Sequence, residues 1–145
     1  MDTAGGGARN TAPDGRLETT VALEAAPHSI AAARRLAVAF LHGARDEHLL
    51  PVSAKVVELT QLVVSELVTN AHKYAPGPAL LRLRIITAAL EVSVWDSHPH
   101  LPDILEADPA RIGQHGLEIV AAIAQHLDIQ PEQNGKRITA RLALD

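Results

Sequence analysis

The chain of 145 residues contains no cysteine, which excludes disulfide bonds, thiolate catalysis and cysteine-ligated metals. Aromatic residues make up only 2% of it, so the core must be built from Leu, Val, Ile and Ala. The chain also lacks a basic excess: a net charge of −4 and a pI near 6.0 argue against nucleic acid as a direct partner. No apolar run is long enough to cross a bilayer, and residues 1–16 do not read as a signal peptide. We therefore expect a cytoplasmic protein without membrane attachment.

The length suits one domain with its own core. Residues 1–16 are Gly, Ala, Pro and polar residues without periodicity, a composition typical of a disordered leader. We therefore expect a disordered leader at 1–16 and one folded domain at 17–145.

Hydrophobic periodicity predicts the element order β-α-α-β-β-α-β-β. The predicted elements are a strand over 17–23, a helix with Ser29 as its N-cap and a frayed end near 42–43, a helix from about 53 to 74, a hairpin of strands around 81–85 and 90–94, a helix over 116–126, and two short final strands. Residues 97–115 are irregular. This order indicates an α+β fold, a two-layer sandwich whose mixed, mostly antiparallel sheet has helices on one face.

The second helix ends in a polar stripe. Glu66, Asn70 and Lys73 continue the line of Leu59 and Val63, because steps of three and four keep side chains nearly in register along a helix. A carboxylate and an amide one turn apart on a buried helix must find partners, or together they cost several kcal/mol. They either bond to nearby backbone or line a ligand site.

Asp96 ends the strand in which Leu90, Val92 and Val94 face inward, so its carboxylate is predicted to face the helix layer. An inward carboxylate at a strand end is costly unless something donates to it. The exocyclic amine of a purine would do so. The alternative is an aspartate that caps a turn at the loop entry.

The segment Gly113-Gln114-His115-Gly116-Leu117 leads directly into an apolar helix. Glycines let the backbone approach a ligand closely, and a helix N-terminus offers free N–H groups to an anion. The alternative is an ordinary flexible turn. If the three features surround one pocket, Asn70 would supply an oxygen to Mg²⁺, Asp96 would accept from adenine, this segment would hold phosphates, and Glu66 would polarise an attacking hydroxyl.

Four stretches carry a family resemblance. Residues 65–75 (SELVTNAHKYA) are similar to an N-box, 94–96 (VWD) to the adenine-reading motif, 113–120 (GQHGLEIV) to a G2 box, and 135–142 (GKRITARL) to a closing strand. The sequence resembles the gyrase/histidine-kinase superfamily of ATPases from about Leu17 to Leu144. Within it, the chain is most similar to the stand-alone anti-sigma factor/serine kinase branch.

This resemblance implies a Bergerat fold, ATP with Mg²⁺, and a switch between holding a sigma factor and phosphorylating an anti-sigma factor antagonist on serine. It makes Glu66 the general base and Asn70 the metal ligand. It implies that the cofactor contacts are Asn70, Lys73, Asp96, Gly113, His115, Gly116 and Leu117. Members of the branch are often dimers, so a homodimer is the oligomer to test.

The segment after Asp96 departs from the family pattern D-x-G-x-G, because the chain reads Asp96-Ser97-His98-Pro99-His100. Pro99 fixes φ and removes a donor where the family has glycine. Glu66 favours the kinase, whereas this glycine-poor loop favours a nucleotide- or protein-binding module on the same fold without phosphoryl transfer. A zinc site at His98, His100 and His115 is a further alternative, although solvated loop histidines are commoner.

The second face of the hairpin carries Arg82, Arg84 and Trp95, which are predicted to point outward. The two arginines are most simply a solvated surface. Trp95 is a candidate for an interface, because tryptophan is enriched at binding hot spots.

Overall fold

A computed structural model describes residues 17–74, 77–97 and 116–145. Its elements follow the predicted order: β1 (Leu17–Leu23), α1 (Ser29–His48), α2 (Ala54–Tyr74), β2 (Ala79–Ile86), β3 (Ala89–Asp96), α3 (Gly116–Ile123), β4 (His126–Glu132) and β5 (Gly135–Ala143). The predicted leader at 1–16 and most of the predicted irregular segment lie outside the described residues.

Within the described residues, five strands form one sheet in the order β1-β2-β3-β5-β4, and each neighbouring pair is antiparallel. Side chains alternate between a buried face, which carries the helices, and an outer face. In the β2–β3 hairpin, Leu81 lies opposite Val94 and Leu83 opposite Val92, as the period of two requires. The α+β two-layer sandwich is thereby confirmed.

The first helix begins and ends differently from the prediction. Ser29 is its first helical residue rather than its N-cap, and the Ser29 hydroxyl donates to the carbonyl of Glu24. The helix also continues through Gly43 to His48. Ala44 is buried in the core, and that packing offsets the roughly 1 kcal/mol that a helical glycine costs.

The second helix begins where the sequence predicts it. Ser53 precedes it, and the Ser53 hydroxyl accepts a 3.0 Å hydrogen bond from the backbone N–H of Val56, so Ser53 is the N-cap. The helix packs against α1 and α3 as well as against strands β2, β3 and β5. This central position explains why the helix is apolar on more than one side.

The third helix is shorter than predicted, because it ends at Ile123 and not near His126. The backbone N–H of Gln125 donates to the carbonyl of Arg141 at 2.8 Å, and β4 pairs with β5 from His126 onward. Pairing with the sheet therefore replaces the last helical turn that the apolar pattern suggested.

The core lies between the sheet and the helices and is almost entirely aliphatic, as the composition requires. Phe40 is its only aromatic member among the described residues. No helix in this part of the chain is both long and apolar enough to cross a membrane.

Candidate functional site

The polar stripe of α2 passes from the core to the surface. Val63 is fully buried, Glu66 and Asn70 are half-buried, and Lys73 is exposed in the last turn. The stripe therefore reaches solvent at the C-terminal end of α2, at the margin of the helix layer. This is the placement that a ligand site built by Glu66 and Asn70 requires.

Glu66 lies against the first residue of α3. A Cβ on Gly116 would overlap the Glu66 Oε1 atom and would lie 3.6 Å from the Cβ of Glu66. Glycine at position 116 thus makes room for this carboxylate. The first backbone N–H groups of a helix have no partner within the helix, so the junction offers donors to an anion.

The second residue of α3 is a core residue. The side chain of Leu117 is buried, with 7% of its surface exposed. It anchors α3 beside α2, so only its backbone N–H can serve a ligand. Gly113 and His115, which belong to the same predicted contact set, lie outside the described residues.

Asn70 presents an unsatisfied oxygen. Its Oδ1 atom is buried and has no hydrogen-bond partner among the described residues. Leaving such an acceptor unpaired costs about 1–3 kcal/mol. An amide oxygen is a suitable ligand for a hard cation such as Mg²⁺, so the residue fits the predicted metal-binding role.

Asp96 is buried on the helix side of the sheet as predicted, and it has a partner that was not predicted. The Lys136 ammonium lies 2.8 Å from Asp96 Oδ2, and the two side chains are only 1% and 2% exposed. The two residues lie directly opposite each other on β5 and β3. The signal was present: Ile138, Ala140 and Leu142 face inward, so the same period places Lys136 inward as well.

The close approach of β5 to β3 requires glycine beside this ion pair. A Cβ on Gly135 would lie 2.8 Å from the Cα of Ser97 and would overlap the backbone of Asp96. The sequence predicts a closing strand over 135–142 but not this close approach. The turn is formed by Gln133 and Asn134, and Gly135 is the first residue of β5.

The structure brings two of the predicted site residues, Glu66 and Gly116, into contact. Glu66 meets Gly116, and α2 packs on both β3 and β5, the strands that end with Asp96 and begin with Gly135 and Lys136. The zinc alternative at His98, His100 and His115 lies outside the described residues. Within those residues no group of three or more His, Cys, Asp or Glu side chains is placed to hold a metal.

Trp95 points to the outer face of the sheet, as predicted. The Arg82 and Arg137 guanidinium carbons lie 5.0 and 5.8 Å from the centroid of its ring, within the range of cation–π contacts. Burial lowers the pKa of Arg82 from its usual value, and the nearby charge of Arg84 adds to this effect. Arg82 is therefore packed on the tryptophan and is not simply a solvated side chain.

Comparison with known protein families identifies the domain. The model of the histidine kinase-like ATPase domain family matches residues 23–142. The chain belongs to this family, and this membership indicates an ATP-binding domain. No curated protein sequence gives a significant match.

Proposed function

We propose that the chain is an ATP-dependent regulator that phosphorylates a serine of an anti-sigma factor antagonist and, in its other state, holds a sigma factor. The observation that carries this proposal is the contact between Glu66 and Gly116, with the buried Asn70 Oδ1 one helical turn further on. A carboxylate, a metal-ligand oxygen and a helix N-terminus are the groups that phosphoryl transfer needs.

Each residue would have one task. Glu66 would accept the proton of the serine hydroxyl, Asn70 Oδ1 would bind the cation, and the first N–H groups of α3 would hold phosphate oxygens. Bound Mg·ATP would supply the phosphoryl group. Lys73, exposed at the end of α2, would meet the phosphates from solvent.

A second candidate is a nucleotide- or protein-binding module on the same fold that transfers no phosphate. The buried ion pair between Asp96 and Lys136 favours it, because the carboxylate expected to read adenine already holds an ammonium group. Such a module would still bind its protein partner, but Glu66 would not act as a general base.

Substitution of Glu66 separates the two candidates. Glu66→Gln and the control Glu58→Gln, an exposed position on the same helix, are compared with the wild type for transfer of labelled γ-phosphate to purified antagonist proteins. For the kinase, we expect transfer by wild type and control, and a loss of about 10²–10⁴-fold in Glu66→Gln with partner binding retained. Partner binding without transfer by the wild type would favour the binding module.

The nucleotide site itself is tested by calorimetry with Mg·ATP. We expect saturable binding by the wild type and weaker binding by Asn70→Ala, while Thr69→Ala, an exposed neighbour, matches the wild type. Asp96→Ala in the same titration measures how much of the affinity depends on the carboxylate that faces the base. No heat of binding from the wild type at millimolar ATP would remove nucleotide binding from the proposal.

A further inference from the structure

The ion pair between Asp96 and Lys136 is shielded from solvent. The Nζ–Oδ2 distance is 2.8 Å, and the side chains of Lys136 and Asp96 are 1% and 2% exposed. The pairing of β3 with β5 holds the two residues directly opposite each other. Gly135 has no side chain, so the backbone of β5 can lie close to that of Asp96. This arrangement fixes the ammonium on the carboxylate before any ligand arrives.

A carboxylate in this state has little to gain from a further donor. Charge-assisted hydrogen bonds are strong because they satisfy an anion, and here a full positive charge already lies in contact with it. Displacing the ammonium would separate two buried opposite charges that lie in contact, which is strongly unfavourable. A purine amine that reaches Asp96 must therefore share it with Lys136.

We propose that Lys136 is a specificity-determining residue of the nucleotide site: by neutralising Asp96, it makes the exocyclic amine of the base nearly irrelevant to affinity. This inference rests on the proposed nucleotide binding and refines it. The ligand class becomes purine nucleoside triphosphates, recognised mainly at the phosphate end by Asn70 and α3, with little selection of the base.

The wild type alone provides the first test. Calorimetry compares Mg·ATP with the triphosphate of purine riboside, which lacks the 6-amino group and is otherwise the same. We expect dissociation constants within about threefold of each other, because the ammonium of Lys136 already compensates the charge of Asp96. A loss of about tenfold or more for the analogue would overturn the inference, since a free carboxylate would then be reading the amine.

Removal of the ammonium provides the second test. Lys136→Met keeps a long apolar side chain and adds no donor, and Lys55→Met at an exposed position on α2 is its control. In Lys136→Met the ammonium no longer contacts Asp96, so a hydrogen bond from the 6-amino group of ATP to this carboxylate contributes more to affinity. We expect the ATP preference over the analogue to rise about tenfold or more in Lys136→Met and to stay unchanged in Lys55→Met.

The outcomes distinguish this inference from the proposed function. Two results would overturn the role of Lys136 and leave nucleotide binding intact. One is a wild type that binds ATP about tenfold or more tightly than the analogue. The other is a folded Lys136→Met protein whose preference for ATP over the analogue does not increase. No binding of either nucleotide by wild type and variant would overturn nucleotide binding and, with it, this inference. Where Lys136→Met does not fold, the wild-type comparison decides.

Discussion

At the scale of single residues, Gly116 and Gly135 border the candidate site and would respond differently to one added methyl group. At Gly116 the methyl meets the end of a flexible side chain, the carboxylate of Glu66. At Gly135 it meets the backbone of Asp96 and Ser97. A side chain can rotate away, whereas a paired strand cannot.

Gly116→Ala is therefore expected to alter function more than stability. Glu66 would rotate out of the junction, so the free energy of unfolding should change by less than about 1 kcal/mol. Phosphoryl transfer should fall about as far as in Glu66→Gln. Urea unfolding and the transfer assay measure the two effects, and a transfer rate equal to that of the wild type would place the action of Glu66 elsewhere.

Gly135→Ala is expected to alter stability directly. The added atom forces β5 away from the end of β3, and overpacking of this kind costs about 1–3 kcal/mol or more. Urea unfolding should show a clear loss, while Gly43→Ala, whose Cβ would meet only Glu47 Oε1 at 3.9 Å, serves as the tolerated control. Equal stability of the two variants would contradict the close approach.

At the scale of elements, α1 ends on a strained residue. Leu49 has a φ of 56° in the left-handed region, where glycine is usual, and its side chain is 85% exposed. Its backbone N–H donates to the carbonyl of Ala44, which closes the helix end. The strain is therefore local and is not offset by burial of the side chain.

Leu49→Gly is expected to stabilise the protein. Relief of the left-handed strain is worth about 1–2 kcal/mol, and the greater freedom of glycine in the unfolded chain reduces the gain to roughly 0.5–1 kcal/mol. Leu49→Ala is the control, because alanine keeps the Cβ that causes the strain. A glycine variant no more stable than the alanine variant in urea would show that Leu49 relaxes at no cost.

The outer face of the sheet holds a second ion-pair cluster. Glu91 on β3 accepts from Arg84 at 2.8 Å and from Arg141 at 3.0 Å, so it links β2 to β5 across the central strand. Burial alone would raise the pKa of Glu91, but the hydrogen bonds and charges of the two arginines outweigh it and hold the pKa below its usual value.

This shift predicts an acid-dependent contribution to stability. A carboxylate whose pKa is lowered on folding stabilises the protein above its unfolded pKa, near 4.3, and loses that contribution as the pH falls through the folded pKa. Glu91→Gln should therefore cost about 1–2 kcal/mol at pH 7, and the difference should shrink as the pH falls below about 4.3. Urea unfolding over this range measures it, with the exposed Glu47→Gln as control. If the loss of stability in Glu91→Gln did not change with pH, the loss would come from packing and not from the charge of Glu91.

At the scale of the whole molecule, the order and faces of the elements could be predicted because the apolar periods are strong and mostly uninterrupted. The exceptions arose where a distant contact overrode a local signal. The helix α1 runs through Gly43 because Ala44 is buried, and α3 stops early because Gln125 bonds to Arg141. Neither contact is visible in the local sequence.

For the candidate site, the sequence predicted the positions of residues along each element but not the contacts between elements. Periodicity placed Glu66 and Asn70 on one helical stripe and turned Asp96 inward. It could not supply the register that sets Asp96 opposite Lys136, because register depends on how two separate strands pair. The contact of Glu66 with Gly116 likewise depends on the packing of α2 against α3.

The position of Trp95 has a practical consequence. It is the single tryptophan of the chain, and it precedes Asp96 directly. Fluorescence excited selectively in tryptophan therefore arises from one point, where the indole lies under Arg82 and Arg137. Its emission should report unfolding of the sheet and any displacement of the β3 end when a ligand binds on the opposite face, so an optical titration needs no attached dye.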